Sequence, residues 1–412
     1  MPDGPPAAPA LRLPPGAFAD QPGLARLASL LGAAEGETRV VGGAVRDALL
    51  GLPVSDVDLA TRLRPEEVIR RLERARLRAV PTGLRHGTVT AVVSGRPYQV
   101  TTLRADVRTD GRYAEVAFVD DWQADAARRD FTINALYADP ETGRVWDPVG
   151  GAADLAARVV RFIGDPRQRI AEDHLRILRF FRFSARFADA LEPEGLAACA
   201  ERANDLMALS RERIRDELLK LLAADDPAPT AAAMQAHGIF RPFLPEVDRA
   251  GVARLARLVA AERAAGVAPQ PLRRLAALLP PDPALGRALA ARLRLSRAEA
   301  GRLEAALGWE APVPEDPRAL AHAIGGAAAA DRLLLREDPR APAWAGALGA
   351  WQPPRLPVSG RDLIALGVPP GPEVSRLLAE VERRWVKAGF PAERDAALAL
   401  ARAALAGDAP GG

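Results

Sequence analysis

An α+β protein, with an N-terminal α/β head followed by helices alone, is the fold class that this 412-residue sequence predicts. Three observations carry the prediction. Between residues 38 and 151, strand-like and helix-like stretches alternate with glycine punctuation. From Asp154 onwards apolar residues recur at helical spacing and strand signals vanish. Beyond residue 223 the chain is rich in Ala, Leu and Arg, broken by prolines near Pro280, Pro312 and Pro353. The length exceeds one ordinary core, and the changes of character divide it four ways. These are a flexible leader (1–24), the head (25–150), a helical neck (151–222), and a helical body and tail (223–412).

Composition narrows the class further. An apolar content of 49% with 26% charged residues describes a globular chain. No apolar run is long enough to span a bilayer, so no membrane partner is expected. The Pro- and Ala-rich opening has Arg12 as its only basic side chain and lacks the pattern of a signal peptide. The single cysteine, Cys199, excludes an internal disulfide framework and fits a reducing cytoplasm. A net charge of +3 says little about partners. Lys220 and Lys387 are the only lysines, as a GC-rich genome would produce. The planar guanidinium fork nonetheless suits phosphates and base edges.

In chain order, Val40-Val41 runs into Gly42-Gly43 and then a helix-like segment carrying Arg46. A glycine pair lets the backbone approach a phosphate, and the helix N-terminus offers free N–H groups to an anion. Alone, the pair reads equally as an ordinary strand–turn–helix corner. About a dozen residues later, Ser55-Asp56-Val57-Asp58-Leu59-Ala60-Thr61 reads as a strand, which puts Asp56 and Asp58 on one face. Two adjacent carboxylates repel unless a cation lies between them, and hard oxygens suit Mg²⁺. By itself a D-x-D is more often a solvated acidic pair; the phosphate turn just upstream supplies the other half of a nucleotide–metal site. Residues 88–93 and 97–103 form two β-branched runs about Ser94-Gly95, a hairpin pattern. The charged stretch 104–113 has no apolar face and reads as an exposed, mobile loop. Arg128-Arg129-Asp130-Phe131-Thr132-Ile133-Asn134 sets two cations, an acid and an amide on an apolar frame.

Gly42-Gly43-Ala44-Val45-Arg46-Asp47, Asp56-x-Asp58-Leu59-Ala60-Thr61 and Arg128-Arg129-Asp130-Phe131-Thr132-Ile133-Asn134-Ala135 resemble the first signature motifs of the class II tRNA nucleotidyltransferase and bacterial poly(A) polymerase family. Asp147-Pro148-Val149-Gly150-Gly151 and Val160-Arg161-Phe162-Ile163-Gly164-Asp165-Pro166 resemble the next. The likeness is strong over about residues 38–220 and weaker in the body. One position departs: Gln99 stands where the family often carries an acid.

Residues 170–183 read as one amphipathic helix with Arg176, Arg179 and Arg182 in a polar stripe. On composition alone this is a solvated, salt-bridged face, with Glu172–Arg176 and Asp173–Arg176 at pairing distance. The resemblance makes Glu172-Asp173-x-x-Arg176 the base-selecting motif. Cytosine and adenine both present an amino donor beside a ring-nitrogen acceptor. A carboxylate only accepts and a guanidinium only donates, so an Asp173–Arg176 pair complements C and A and mismatches G and U. Ser210 to Leu218 resembles the family's fifth motif and reads as an N-capped supporting helix.

The resemblance thus implies template-independent addition of CCA to the tRNA 3′ end, by in-line attack of the RNA hydroxyl on the α-phosphate of CTP or ATP. It implies Asp56 and Asp58 as catalytic ligands of two Mg²⁺ ions. Gly42, Gly43, Arg46, Arg128, Arg129, Asp130, Asn134, Glu172, Asp173, Arg176, Arg179 and Arg182 follow as nucleotide-binding residues. The helical body would grip the elbow of tRNA, without DNA as a partner. Two alternatives stand beside it: a poly(A) polymerase on the same fold, and, through Gln99, a catalytically weakened tRNA-binding protein. The nearly uncharged C-terminus speaks against the former, since such polymerases commonly end in a basic tail.

Overall fold

Val40, Leu59, Val100 and Val89 are buried in register across four neighbouring strands of the computed structural model. Side chains alternate faces along a strand, so the next row, Val41, Asp58, Gln99 and Thr90, turns to the opposite face. The structure describes residues 11–110, 113–336 and 338–407, and the chain divides into two compact units, Met1–Pro245 and Glu246–Gly412.

The first unit holds strands β1 (Thr38–Val41), β2 (Asp58–Thr61), β3 (Arg78–Gly83), β4 (Thr88–Val93), β5 (Arg96–Thr102), β6 (Arg104–Asp110), β7 (Tyr113–Phe118), β8 (Tyr137–Ala138) and β9 (Val145–Trp146). Seven of them form one sheet in the order β3-β4-β5-β2-β1-β8-β9. Only β2 and β5 pair in parallel. Their crossover runs through helix α1 (Pro65–Arg74), which packs Val68 and Leu72 under the sheet. The β4–β5 turn has Ser94 and Gly95 both at positive φ, 52° and 78°, the mirror-image turn that matches strand twist.

Three expectations change. The stretch 104–113 is not a loop: β6 and β7 pair antiparallel in a separate two-stranded ladder, with residues 111–112 outside the described residues. Backbone hydrogen bonds supply there what side-chain patterning did not advertise. The segment 170–183 is not one helix. Helix α2 (Pro166–Glu172) ends, Asp173 is extended at φ −151°, and helix α3 (Arg176–Phe187) begins. At the break, the Asp173 carboxylate accepts the Leu175 N–H two residues on at 3.1 Å, a local turn bond that competes with the helical pattern. The strand through the acidic pair starts at Asp58, so Asp56 precedes the ladder, although exposure still alternates through Asp56, Val57 and Asp58. Of the expected leader, residues 1–10 lie outside the described residues. Farther on, Leu13 is buried and donates to the Gly143 carbonyl at 2.8 Å.

Aromatic packing joins the sheet end to the helices that follow. Phe131 lies 4.9 Å from Phe162 and 5.4 Å from Phe183, and Phe162 stacks on Phe180 at 5.5 Å. Helix α4 (Arg211–Leu222) packs along α3. In the second unit every named element among the described residues is a helix, and prolines open several of them at Pro271, Pro283, Pro317 and Pro372. Its interior includes a buried ionic cluster: Glu262 accepts from Arg273 at 2.6 Å and Arg274 at 2.8 Å, and Asp331 accepts from Arg302 at 2.6 Å.

Candidate active site

The glycine turn and the acidic strand meet at one end of the sheet. Val41 is paired with Asp58, and Gly42 follows it at φ +75°, a conformation that favours glycine. A side chain built at Gly42 would stand 3.8 Å from Arg129 Nη1, so that guanidinium lies beside the turn. Asp58 is open to solvent, whereas Ala60, two residues on along the strand, is buried in the cluster of Trp122, Ala126 and Tyr137. Burial pushes the Asp58 carboxyl above its ordinary range; Arg129 pulls it back and the Asp56 carboxylate pushes it further up. The pair therefore senses itself as like charges, as the D-x-D spacing anticipates.

Arg128 and Arg129 are gripped by a residue the sequence reading missed. Asp125, buried in the short helix 122–127, accepts from Arg128 Nε at 2.9 Å and Arg129 Nη2 at 2.9 Å, while the Tyr137 hydroxyl donates to it at 2.7 Å. Burial alone would raise the Asp125 carboxyl, but Arg129, Arg128 and the Tyr137 hydrogen bond bring it down to about 2. The signal was available only as one acid three and four residues before the arginine pair.

Asp130 and Asn134 are both buried and bonded to each other at 3.1 Å. Asp130 also accepts from Arg179 Nε at 2.8 Å, and the Asn134 side-chain oxygen accepts from Arg46 Nη1 at 2.5 Å. Arg46 is itself buried, paired with Asp47 at 2.8 Å and laid over Phe187 at 4.1 Å. Burial lowers its affinity for a proton, and Asp47 restores part of it. Gly151 closes this corner: a Cβ there would meet the Thr132 carbonyl oxygen at 2.1 Å.

Of the two pairs expected among the base-selecting candidates, Glu172–Arg176 forms and Asp173–Arg176 does not. Arg176 donates to Glu172 at 2.6 Å and to the Arg169 carbonyl at 2.8 Å. Asp173 instead accepts from Arg213 on α4. Arg182 donates to Glu217 at 2.6 Å, also on α4. That helix has Ser210 at its N-cap position but no side-chain capping bond, so it contributes Arg213 and Glu217 directly rather than a cap. Arg169 ties the two halves together, donating to the Arg129 carbonyl at 2.8 Å and pairing with Glu172 at 2.6 Å.

Asp56 and Asp58 present hard, solvent-reachable oxygens whose mutual repulsion a divalent cation would relieve, which fits Mg²⁺ with water and phosphate completing its shell. Among the described residues no cluster of three or more His, Cys, Asp or Glu forms a ready-made metal cage. Two protein carboxylates are what a cation shared with a triphosphate requires.

Residues 38–161 match the family model described as the poly A polymerase head domain. Residues 190–250 match one described as a probable RNA and SrmB-binding site of polymerase A. The chain is 34% identical to the mitochondrial CCA tRNA nucleotidyltransferase 1 of Mus musculus, over 90% of this chain and 88% of that protein. It is 38% identical to the CCA-adding enzyme of Geobacillus stearothermophilus over 54% of each. Among solved structures it is similar to the Bacillus stearothermophilus CCA-adding enzyme in complex with CTP, at 28% identity and a TM-score of 0.71, over 92% of this chain and 97% of that one.

Proposed function

The chain belongs to the class II CCA-adding enzyme and poly(A) polymerase family, and we propose that it adds CCA to the 3′ end of tRNA from CTP and ATP through a site centred on Asp56 and Asp58. The supporting observation is the meeting of the Asp58 carboxylate, the Gly42 turn and the Arg129 guanidinium at one sheet end. Such a turn admits phosphate to the backbone, and the cation beside it favours a triphosphate. Asp56 and Asp58 would hold the divalent metal, for which two Mg²⁺ ions are our assignment. Bound there, the ions would supply charge to lower the pKa of the RNA 3′-hydroxyl and to offset the negative charge of the leaving pyrophosphate.

Arg128 and Arg129, fixed by Asp125, supply positive charge without having to be ordered at the moment of reaction. Asp130 and Asn134 act on the nucleotide through Arg179 and Arg46, whose guanidiniums they hold. Glu172, Asp173 and Arg176 face the base, with Arg182 anchored beside them by Glu217. Gln99 adjoins Asp58 in the sheet, an amide that neither binds a cation strongly nor takes up a proton. The compartment we assign is a reducing one, the cytoplasm, from the single Cys199. Among the described residues no helix is long and apolar enough to cross a membrane.

The test is incubation with tRNA lacking its CCA end and each nucleotide separately, then together. Two C additions from CTP and a single A after ATP are expected. A long A tail from ATP alone would replace this reading with a poly(A) polymerase, and binding without any extension would leave an RNA-binding protein.

A further inference from the structure

A cavity of about 570 Å³ opens in the first unit between the segment leading to Asp56 and helices α3 and α4. Leu52, Arg182, Phe183, Arg186, Phe187 and Lys220 line it. Its cations are unequally engaged. Arg182 is committed to Glu217. Arg186 is half-exposed, lies over Phe187 at 4.9 Å, and has its nearest carboxylate, Asp47, only at 4.0 Å. Lys220 is exposed and has no hydrogen bond or ion pair among the described residues. One carboxylate, Asp225, shares the lining. Leu52 adds an exposed apolar surface four residues before Asp56. Loosely held cations interleaved with aromatic and aliphatic faces suit single-stranded nucleic acid, whose phosphates and bases alternate along the strand. Lys220 and Asp225 also fall inside the 190–250 segment matched to the RNA-binding family model.

We propose that this cavity seats the single-stranded RNA just upstream of its 3′-terminal nucleotide, with Lys220 and Arg186 as positioning residues on its phosphates and Leu52 and Phe187 against a sugar or base. The inference rests on the reading that the chain extends RNA. Leu52 is four residues along the chain from Asp56, so on this reading the 3′ end lies towards the carboxylates while the two cations touch phosphates and not the reacting atoms. Lys220 takes no part in the network around Asp125 and Asp130, and Arg186 meets it only at its edge, through the 4.0 Å approach to Asp47.

The experiment measures binding of a fluorescent RNA hairpin with a short 3′ overhang, in EDTA without nucleotide, over a series of NaCl concentrations. Lys220→Ala and Arg186→Ala should each weaken binding and flatten the slope of log K against log salt by about 0.7, the value for one single-strand phosphate contact. Lys220→Arg should restore the slope. In turnover, KM for RNA should rise by roughly tenfold in the double variant while KM for CTP and kcat stay near wild type, a split that loss of folding does not produce. Removing the overhang should erase the difference between variant and wild type. An unchanged salt slope overturns the proposal, and so does a rise in KM for CTP alone, which would assign the cavity to the incoming nucleotide. The binding arm needs no catalysis, so a wild-type protein that binds this RNA but fails to extend it defeats the functional reading and leaves the cavity to be judged by its slopes.

Discussion

Arg213 donates to both carboxylate oxygens of Asp173, at 3.0 Å each, across 40 residues of sequence. The acid proposed to read the base is therefore aimed by a residue from another helix. Arg213→Ala should leave the Asp173 carboxylate held only by the Leu175 N–H and so less firmly aimed. We expect GTP or UTP incorporation to rise by about tenfold, near 1.4 kcal/mol of lost discrimination. Asp173→Ala should relax selection at least as much. Single-nucleotide extension of tRNA reads both, and unaltered C and A specificity in both would make this a plain salt-bridged face.

Asp58 gives a prediction with a definite sign. Its proton is held more tightly in the folded protein, so stability falls as pH rises from the ordinary carboxylate range through the raised value. In EDTA at neutral pH, Asp58→Asn should melt at or above the wild type, and the gap should close in acid. Added Mg²⁺ should raise the melting temperature of the wild type and not of the variant. Gln99→Glu, next to it in the sheet, should lower the Mg²⁺ concentration needed for half-maximal extension.

Asp125 behaves oppositely. Its carboxyl is lowered to about 2, so its contribution is complete above the ordinary carboxylate range and is lost as pH falls towards that value. Asp125→Asn should cost roughly 3 kcal/mol at pH near 7, as for breaking a buried ion pair. The deficit should shrink as pH falls below about 4. Thermal melts of both proteins across that range check it, and a constant difference would mean that charge is not what Asp125 supplies.

The β6–β7 ladder is the part of the head that stands outside the main sheet. We propose that it governs the passage from CTP to ATP. Replacing residues 106–112 by a tight turn should leave CC addition almost normal and stop the terminal A. A variant that completes CCA at the wild-type rate would reduce the ladder to a connector.

Much of the scaffold was legible because it rests on short-range rules. The β-branched runs around Ser94-Gly95 dictate a hairpin whose turn demands positive φ, and Val40, Leu59, Val89 and Val100 advertise their buried face by alternation. The alternating exposure of Asp56, Val57 and Asp58 was likewise readable, although only Asp58 lies in the strand. What stayed hidden depends on partners remote in sequence. Glu217 lies 35 residues from Arg182, and nothing near either one announces the pair. The helix break at Asp173 was masked because apolar residues keep helical spacing on both sides, while Arg213, which holds the Asp173 carboxylate, comes from 40 residues away. The β6–β7 ladder was missed for a related reason: its pairing is made by main-chain bonds that side-chain patterning does not announce.

The near-absence of lysine has a practical side. Reagents that seek primary amines find one side chain in the first unit, Lys220, and one in the second, Lys387. With the chain's α-amine blocked, a dye or photocrosslinker carried by such a reagent would report on each unit from a single known address, and the first address opens onto the cavity beside Phe187.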